Sequence, residues 1–242
     1  KKYFYNELLV LLKLLKEKNV AYTEIYGSSL GAMGQPQFMP SSYYLSGVDF
    51  DLDGIKDIWK NEKDVLASIA NFLKMNGWLK DLYWGYEIRT PPDFPCHMEG
   101  PDNVKYISEW HEYGINAAGE RNKQGFPTNV KASLLYPKGE YGPRFFVTKN
   151  FYVLKKYNQS DLYALYVAHL SDRIGIQNES FQAPWESTST IKMDKVFEIQ
   201  RNLIAKGFNV GKHDGLIGHK TRRSLGLWQE KENREITCFL NN

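Results

Sequence analysis

The stretch GSSLGAMGQPQFMPSSYYLSGVDFDLDGIKDIW, residues 27–59, places a glycine-rich turn, a Gln-Phe-Met-Pro knot and an acidic loop side by side. Gly27, Gly31 and Gly34 with Pro36 are the chemistry of loops and short helices. Ser41 is placed to cap a following turn. Asp49, Asp51 and Asp53 then alternate and are followed at once by Gly54. Three carboxylates so close repel one another unless a cation lies between them, and hard cations such as calcium take this kind of oxygen set. Gly54 stands where an EF-hand loop needs its sharp turn, Ile55 can offer only its backbone carbonyl, and Asp57 stands at the ninth position. The twelfth position is Lys60 instead of a bidentate Glu, so this is not a complete EF-hand, and Glu62 or Asp64 at the start of the next helix could take that place. The expected ligand set is Asp49, Asp51, Asp53, Ile55 and Asp64 around a structural Ca2+. The competing reading is a solvated acidic turn.

Outward from this segment the chain reads as mainly helical. Leu8, Leu11, Leu12 and Leu15 predict an amphipathic helix over residues 3–19, and Val65, Ile69, Phe72 and Leu73 predict another over 62–76. Gly77 follows where a C-cap glycine belongs. Residues 79–150 carry seven of the ten prolines and short alternating pieces such as Phe145-Phe146-Val147, which predicts a loop-rich insertion with a few strands. Residues 150–174 return to a helix. Residues 178–192, with Pro184 and no periodicity, read as a linker, 193–230 as a compact unit, and 231–242 as a loosely held tail.

Composition removes several classes. Of 242 residues, 42% are hydrophobic and 24% charged, ordinary for a chain that buries a core. A net charge of +3 without a clustered basic face excludes a nucleic-acid partner. No apolar run is long enough to span a membrane. The 16 Tyr and 6 Trp are more telling, because flat rings with a polar edge suit stacking on sugars as well as core packing. Cys96 and Cys238 fall in different expected domains, so they are not read as a disulfide framework. The opening KKYFYNELLVLLKLLKEK, without an initiator Met, reads as a helix already under way and predicts a fragment or a processed form.

Gly31-Ala32-Met33-Gly34, Gln37-Phe38-Met39-Pro40-Ser41-Ser42-Tyr43, Val48-Asp49-Phe50, Asp53-Gly54 and Trp59 stand in one order. That order resembles the lytic murein transglycosylases of the membrane-bound type B (glycoside hydrolase family 103). Tyr157-Asn158-x-Ser160-x-x-Tyr163-Ala164 is similar to that family's second motif, and the resemblance runs to about residue 185. It implies a lysozyme-like α+β domain, residues 1–177 with its N-terminal part missing. Such a domain cuts peptidoglycan between N-acetylmuramic acid and N-acetylglucosamine. It implies a single-Glu acid/base mechanism that forms a 1,6-anhydro sugar and needs no cofactor, in contrast to the usual two-carboxylate glycosidase. By matching position Tyr3, Ser28, Gln37, Tyr157, Asn158 and Tyr163 become substrate-binding candidates. Phe72 stands where a groove tyrosine is common. The resemblance places the acid before residue 1, so no residue of this chain is assigned the catalytic role and the chain alone is expected to be inactive. Each candidate has a structural reading too: Ser28 capping a turn, Gln37 binding loop backbone, Asn158 N-capping a helix.

Residues 197–229 are similar to the type 1 peptidoglycan-binding domain, a three-helix miniature, at Gln200, Leu203, Gly207-Phe208, Gly211, Asp214-Gly215, Gly218 and Thr221. Asp214 is either a turn former or a ligand contact. The reading is a monomeric peptidoglycan-cleaving enzyme of the periplasm or envelope of a Gram-negative bacterium. A non-catalytic peptidoglycan-binding protein is the alternative, and a calcium-dependent binding module leaves Gln-Phe-Met-Pro unexplained.

Overall fold

The computed structural model describes residues 2–17, 22–118, 127–174, 180–187 and 191–240, in two compact units, residues 1–79 and 80–242. The first unit is helical: α1 (Lys2–Lys16), α2 (Pro40–Ser46) and α3 (Glu62–Met75). Pro40 sits at the start of α2, where its missing N–H costs nothing. The free donors beside it are met from α1: the buried Glu7 carboxylate accepts from Ser41 N at 2.9 Å and from Ser41 Oγ at 2.8 Å. Asn61 caps α3 by accepting from Lys63 N. At the other end Gly77, at φ +91°, turns the chain while Gly77 N and Trp78 N donate to Lys74 O and Leu73 O, each at 3.0 Å. This is the paired closure that a left-handed glycine permits, as its position predicted.

The second unit holds a five-stranded antiparallel sheet in the order β2-β4-β5-β1-β3, from β1 (Gly85–Arg89), β2 (Lys105–Tyr106), β3 (Asn116–Ala117), β4 (Lys131–Leu135) and β5 (Arg144–Val147). Tyr86 pairs with Phe146 and Leu134 with Phe146, so β5 is central. The strands are short because the proline-rich connections return the chain quickly. Helix α4 (Ile107–Glu112) drives Trp110 into the core, where its indole N–H donates to Ala132 O at 3.0 Å. Ile88, Ile107, Ile115, Leu134 and Phe146 surround it.

The single helix expected over 150–174 is two, α5 (Lys149–Tyr157) and α6 (Asp161–Ile174). The chain turns extended at Asn158, whose Oδ1 accepts from Ser160 N at 3.0 Å, and Ser160 Oγ accepts from Tyr163 N. Short polar side chains that bond nearby backbone compete with helix continuation. Asn158 therefore closes α5 instead of opening a helix.

Among the described residues of the C-terminal part, two helices stand, α7 (Met193–Ala205) and α8 (His219–Lys231). Gln200 lies buried between them. Its amide donates to Leu216 O and Thr221 Oγ1, and its Oε1 accepts from Asp214 N and Gly215 N. Asp214 Oδ1 accepts from Leu216 N, which makes it a turn former.

Two expectations are corrected here. Cys96 and Cys238 form a disulfide, fully buried in the core of the second unit, although 142 residues separate them. Spacing could not show this, since only the fold brings the two segments to one place. The tail is not loose: Thr237 and Cys238 are buried, and both Thr237 N and Cys238 N donate to Gln229 Oε1 at 3.0 Å. The expected linker, residues 178–192, lies partly outside the described residues. Of that segment, Gln182 N and Ala183 N donate to the Glu87 carboxylate, and Glu186 N donates to Tyr141 O. These backbone bonds fasten it to the sheet.

A buried ion network adds to this. Arg222 Nε and Nη2 meet Glu99 Oε1 and Oε2 at 2.7 and 2.8 Å, Nη2 also meets Asp161 Oδ2 at 3.0 Å, and Nη1 donates to Ile217 O. Lys155 pairs with Asp161 as well. Burial works against the Arg222 charge, but Glu99 and Asp161 outweigh it and hold its pKa above the ordinary guanidinium value.

Candidate functional site

Gly27, Met33 and Phe38 shape the glycine-rich segment. Met33 bridges to Gly27 on one side and to Phe38 on the other, with Met33 N donating to Phe38 O at 2.7 Å. Gly27 is required, because a Cβ there would lie 1.9 Å from Ala32 O. The tight turn between them places Ser28, whose Oγ accepts from Ala32 N at 3.1 Å and Leu30 N at 3.3 Å. The turn-capping reading of Ser28 is correct, and its hydroxyl hydrogen has no acceptor among the described residues. Gln37 sits at φ +54° and donates from Nε2 to Gly34 O at 2.8 Å. Its Oε1 and second amide hydrogen carry no bond among the described residues, so the backbone bond to Gly34 O leaves both open.

Behind this turn stands a brace that the sequence did not reveal. The Trp59 indole N–H donates to Tyr26 O at 2.8 Å, while Tyr26 Oη donates to Trp59 O at 3.4 Å. Gln35 reaches the same segment twice, from Nε2 to Trp59 O at 3.0 Å and from its backbone N to Ile58 O at 2.9 Å. Gly34, at φ +62°, permits the approach; a Cβ there would lie 2.5 Å from Ile58 O. The only signal in the sequence was Trp59 at the end of the motif.

Tyr3 lies on the exposed side of α1, edge-on to Phe4, and its hydroxyl pKa is raised by burial and then by Glu7. Phe72, where a groove tyrosine had been considered, packs on Phe38 at 5.5 Å between ring centroids. In the second unit the α5–α6 corner brings Tyr157, Asn158 and Tyr163 together. Tyr157 ends α5, and its hydroxyl pKa is pushed up by burial and then by the neighbouring Tyr163. Asn158 is exposed, and only its Oδ1 is engaged among the described residues, by Ser160 N.

In the acidic loop, carboxylate oxygens of Asp49, Asp51 and Asp64 all lie within 4.8 Å of one another. Asp64 is fully buried and accepts from Phe50 N and Asp57 N at 2.8 Å each, tying both ends of the loop to α3. Asp49 accepts from Asp53 N and Gly54 N, and the Asp53 carboxylate accepts from Ile55 N. The donor set fits a hard cation: carboxylate oxygens of three aspartates lie together, and the N–H groups they accept from fill only part of their acceptor capacity. Asp64, not Glu62, is the member contributed by α3.

The chain belongs to the transglycosylase SLT domain family, whose model matches residues 1–172. It is 31% identical over 176 residues to the membrane-bound lytic murein transglycosylase B of Escherichia coli K12, covering 72% of this chain and 46% of that protein. SltB3 of Pseudomonas aeruginosa, solved in complex with NAG-NAM-pentapeptide, aligns at a TM-score of 0.86 with 35% identity over 98% of this chain and 63% of that one. Escherichia coli Slt35, solved in complex with calcium, aligns at 0.58 with 28% identity over 72% of this chain and 54% of that one. The chain thus spans about half the length of the curated relative and less than two thirds of these solved structures. Among the described residues, no helix is long and apolar enough to cross a membrane.

Proposed function

We propose that this chain is the glycan-holding part of a lytic transglycosylase acting on peptidoglycan, cutting between N-acetylmuramic acid and N-acetylglucosamine. The observation that carries this is the Ser28–Gln37 turn, where the Ser28 hydroxyl hydrogen and the Gln37 Oε1 and second amide hydrogen carry no bond among the described residues and are open to a sugar. SltB3 bound to NAG-NAM-pentapeptide supports the substrate class.

In this reading a Glu protonates the leaving glycosidic oxygen. The muramyl 6-hydroxyl attacks its own anomeric carbon, and the same Glu takes up the hydroxyl proton. The bond to N-acetylglucosamine breaks, a 1,6-anhydro ring forms, and no water is consumed. The family resemblance places that Glu before the position matching residue 1, and we assign the role to no residue of this chain. Ser28 and Gln37 would hold sugar hydroxyl and acetamido groups, Tyr3, Tyr157 and Tyr163 would stack or donate, and Asn158 would meet an N-acetyl group. Residues 193–230 would add a peptidoglycan-binding surface. The protein acts as a monomer in the periplasm or envelope, a placement supported by its buried disulfide, since such bonds persist in oxidising compartments.

The test uses sacculi digested by the chain together with any residues that precede it, with released muropeptides read by mass spectrometry. Anhydro-muramyl ends support the reading, and reducing ends overturn it in favour of hydrolysis. Binding without any release, from a protein that carries an upstream Glu, favours a non-catalytic binder.

Calcium, if bound, would be held by Asp49, Asp51 and Asp64, with Asp53 and the Ile55 carbonyl as further donors, and would stabilise the loop without entering the chemistry. A ligand specific to the folded state adds about 2.7 kcal/mol at a hundredfold excess over its dissociation constant. Calcium should therefore raise the melting temperature of the chain, and Asp51→Asn should abolish the rise. A melting curve indifferent to calcium and chelator returns the loop to an acidic turn.

A further inference from the structure

We propose that Gln35 and Trp59 are positioning residues that couple the acidic loop to the Ser28–Gln37 turn, so that cation binding and glycan binding favour each other. The proposal rests on the glycan and calcium readings above but goes beyond both.

The path is continuous. Asp64 holds the two ends of the loop at Phe50 N and Asp57 N. Asp57 Oδ1 in turn accepts from Trp59 N at 2.8 Å and Lys60 N at 2.9 Å, which fixes the direction of the chain leaving the loop. Tyr43 Oη donates to Lys56 O at 2.9 Å, and its ring packs on Trp59 at 5.8 Å, so this exit has no slack toward α2. From residues 58–59 hydrogen bonds then run to both sides of the turn. Trp59 Nε1 holds Tyr26 O, two residues before Ser28, and Tyr26 O also accepts from Gly34 N. Gln35, two residues before Gln37, holds Ile58 O and Trp59 O. A shift of the loop exit therefore moves both glycan-facing side chains. Three clustered carboxylates at one end make that exit sensitive to charge.

Coupling between two sites is reciprocal, and is commonly about 5- to 150-fold in affinity. The measurement is the dissociation constant of the intact chain for NAG-NAM-pentapeptide by calorimetry, in calcium and in chelator. Calcium should tighten binding at least fivefold in the unmutated chain. Trp59→Phe keeps a ring against Tyr43 but removes the indole donor. Gln35→Glu, at an exposed position, keeps the shape but sets a carboxylate against the Trp59 carbonyl. In both variants the calcium-induced rise in melting temperature should persist while the calcium effect on glycan affinity falls toward unity. Equal glycan affinity with and without calcium in the unmutated chain overturns the coupling and leaves the two binding readings standing. Undiminished coupling in Gln35→Glu and Trp59→Phe overturns the assigned path. No glycan binding under any condition removes the proposal and the glycan reading together.

Discussion

Replacing Arg222 by methionine should lower stability by about 3–5 kcal/mol, because it strands Glu99 as an uncompensated charge in a fully buried site. Arg222 and Glu99 are 1% and 0% exposed, so no water takes over the role of the guanidinium. Among the described residues Glu99 would keep only Tyr136 N as a donor, at 3.1 Å. Burial already raises its pKa, and without Arg222 the carboxyl would fold neutral or not at all. The loss should be read by urea denaturation as a shift of midpoint with little change in slope. A second variant separates charge from shape: Arg222→Met combined with Glu99→Leu removes both charges and should recover most of the loss, since an apolar replacement of a buried pair is often neutral. If the single variant unfolds within about 0.5 kcal/mol of the parent, the network is not what holds α8 in the second unit.

Removing the Cys96–Cys238 link should cost about 2–5 kcal/mol. The pair closes a long segment of chain, and the entropy denied to the unfolded state grows with that length. The C-terminal strand of this crosslink is also tightly seated, since a Cβ on Gly139 would lie 2.1 Å from Thr237 O. Cys96→Ala with Cys238→Ala should shift the urea midpoint of the oxidised chain, and reductant should bring the parent to the same midpoint. Coincident midpoints for all three samples would show that packing alone holds residues 236–240. Together with the Arg222–Glu99 pair, the crosslink ties α8 and the segment after it to residues 96–99.

The legible part of this protein was local. Glycine and proline spacing announced the tight turn at 27–38, and alternating aspartates announced the loop at 49–53. Helix periodicity gave α1 and α3, and Gly77 marked where α3 stops, because capping and left-handed backbone are decided by neighbours in the chain. The motif order around Gln37-Phe38-Met39-Pro40 was enough to name the family and the lysozyme-like α+β class. Even the Gln200, Asp214 and Thr221 pattern was visible, though only the structure shows that Gln200 bonds each of the other two and the turn.

Tertiary structure decided everything that joins distant segments. Glu7 looked like an ordinary helix residue until Ser41 was placed against it, and Trp59 like a motif terminus until its indole met Tyr26 O. The disulfide, the Glu99–Arg222–Asp161 network and the seating of residues 236–240 were invisible for the same reason. A buried charge or thiol leaves no periodic trace in sequence, because its partner is chosen by where the sheet and helices pack. Which acidic residue of α3 joins the loop, Asp64 and not Glu62, follows likewise from burial: only the side chain facing inward can receive both Phe50 N and Asp57 N.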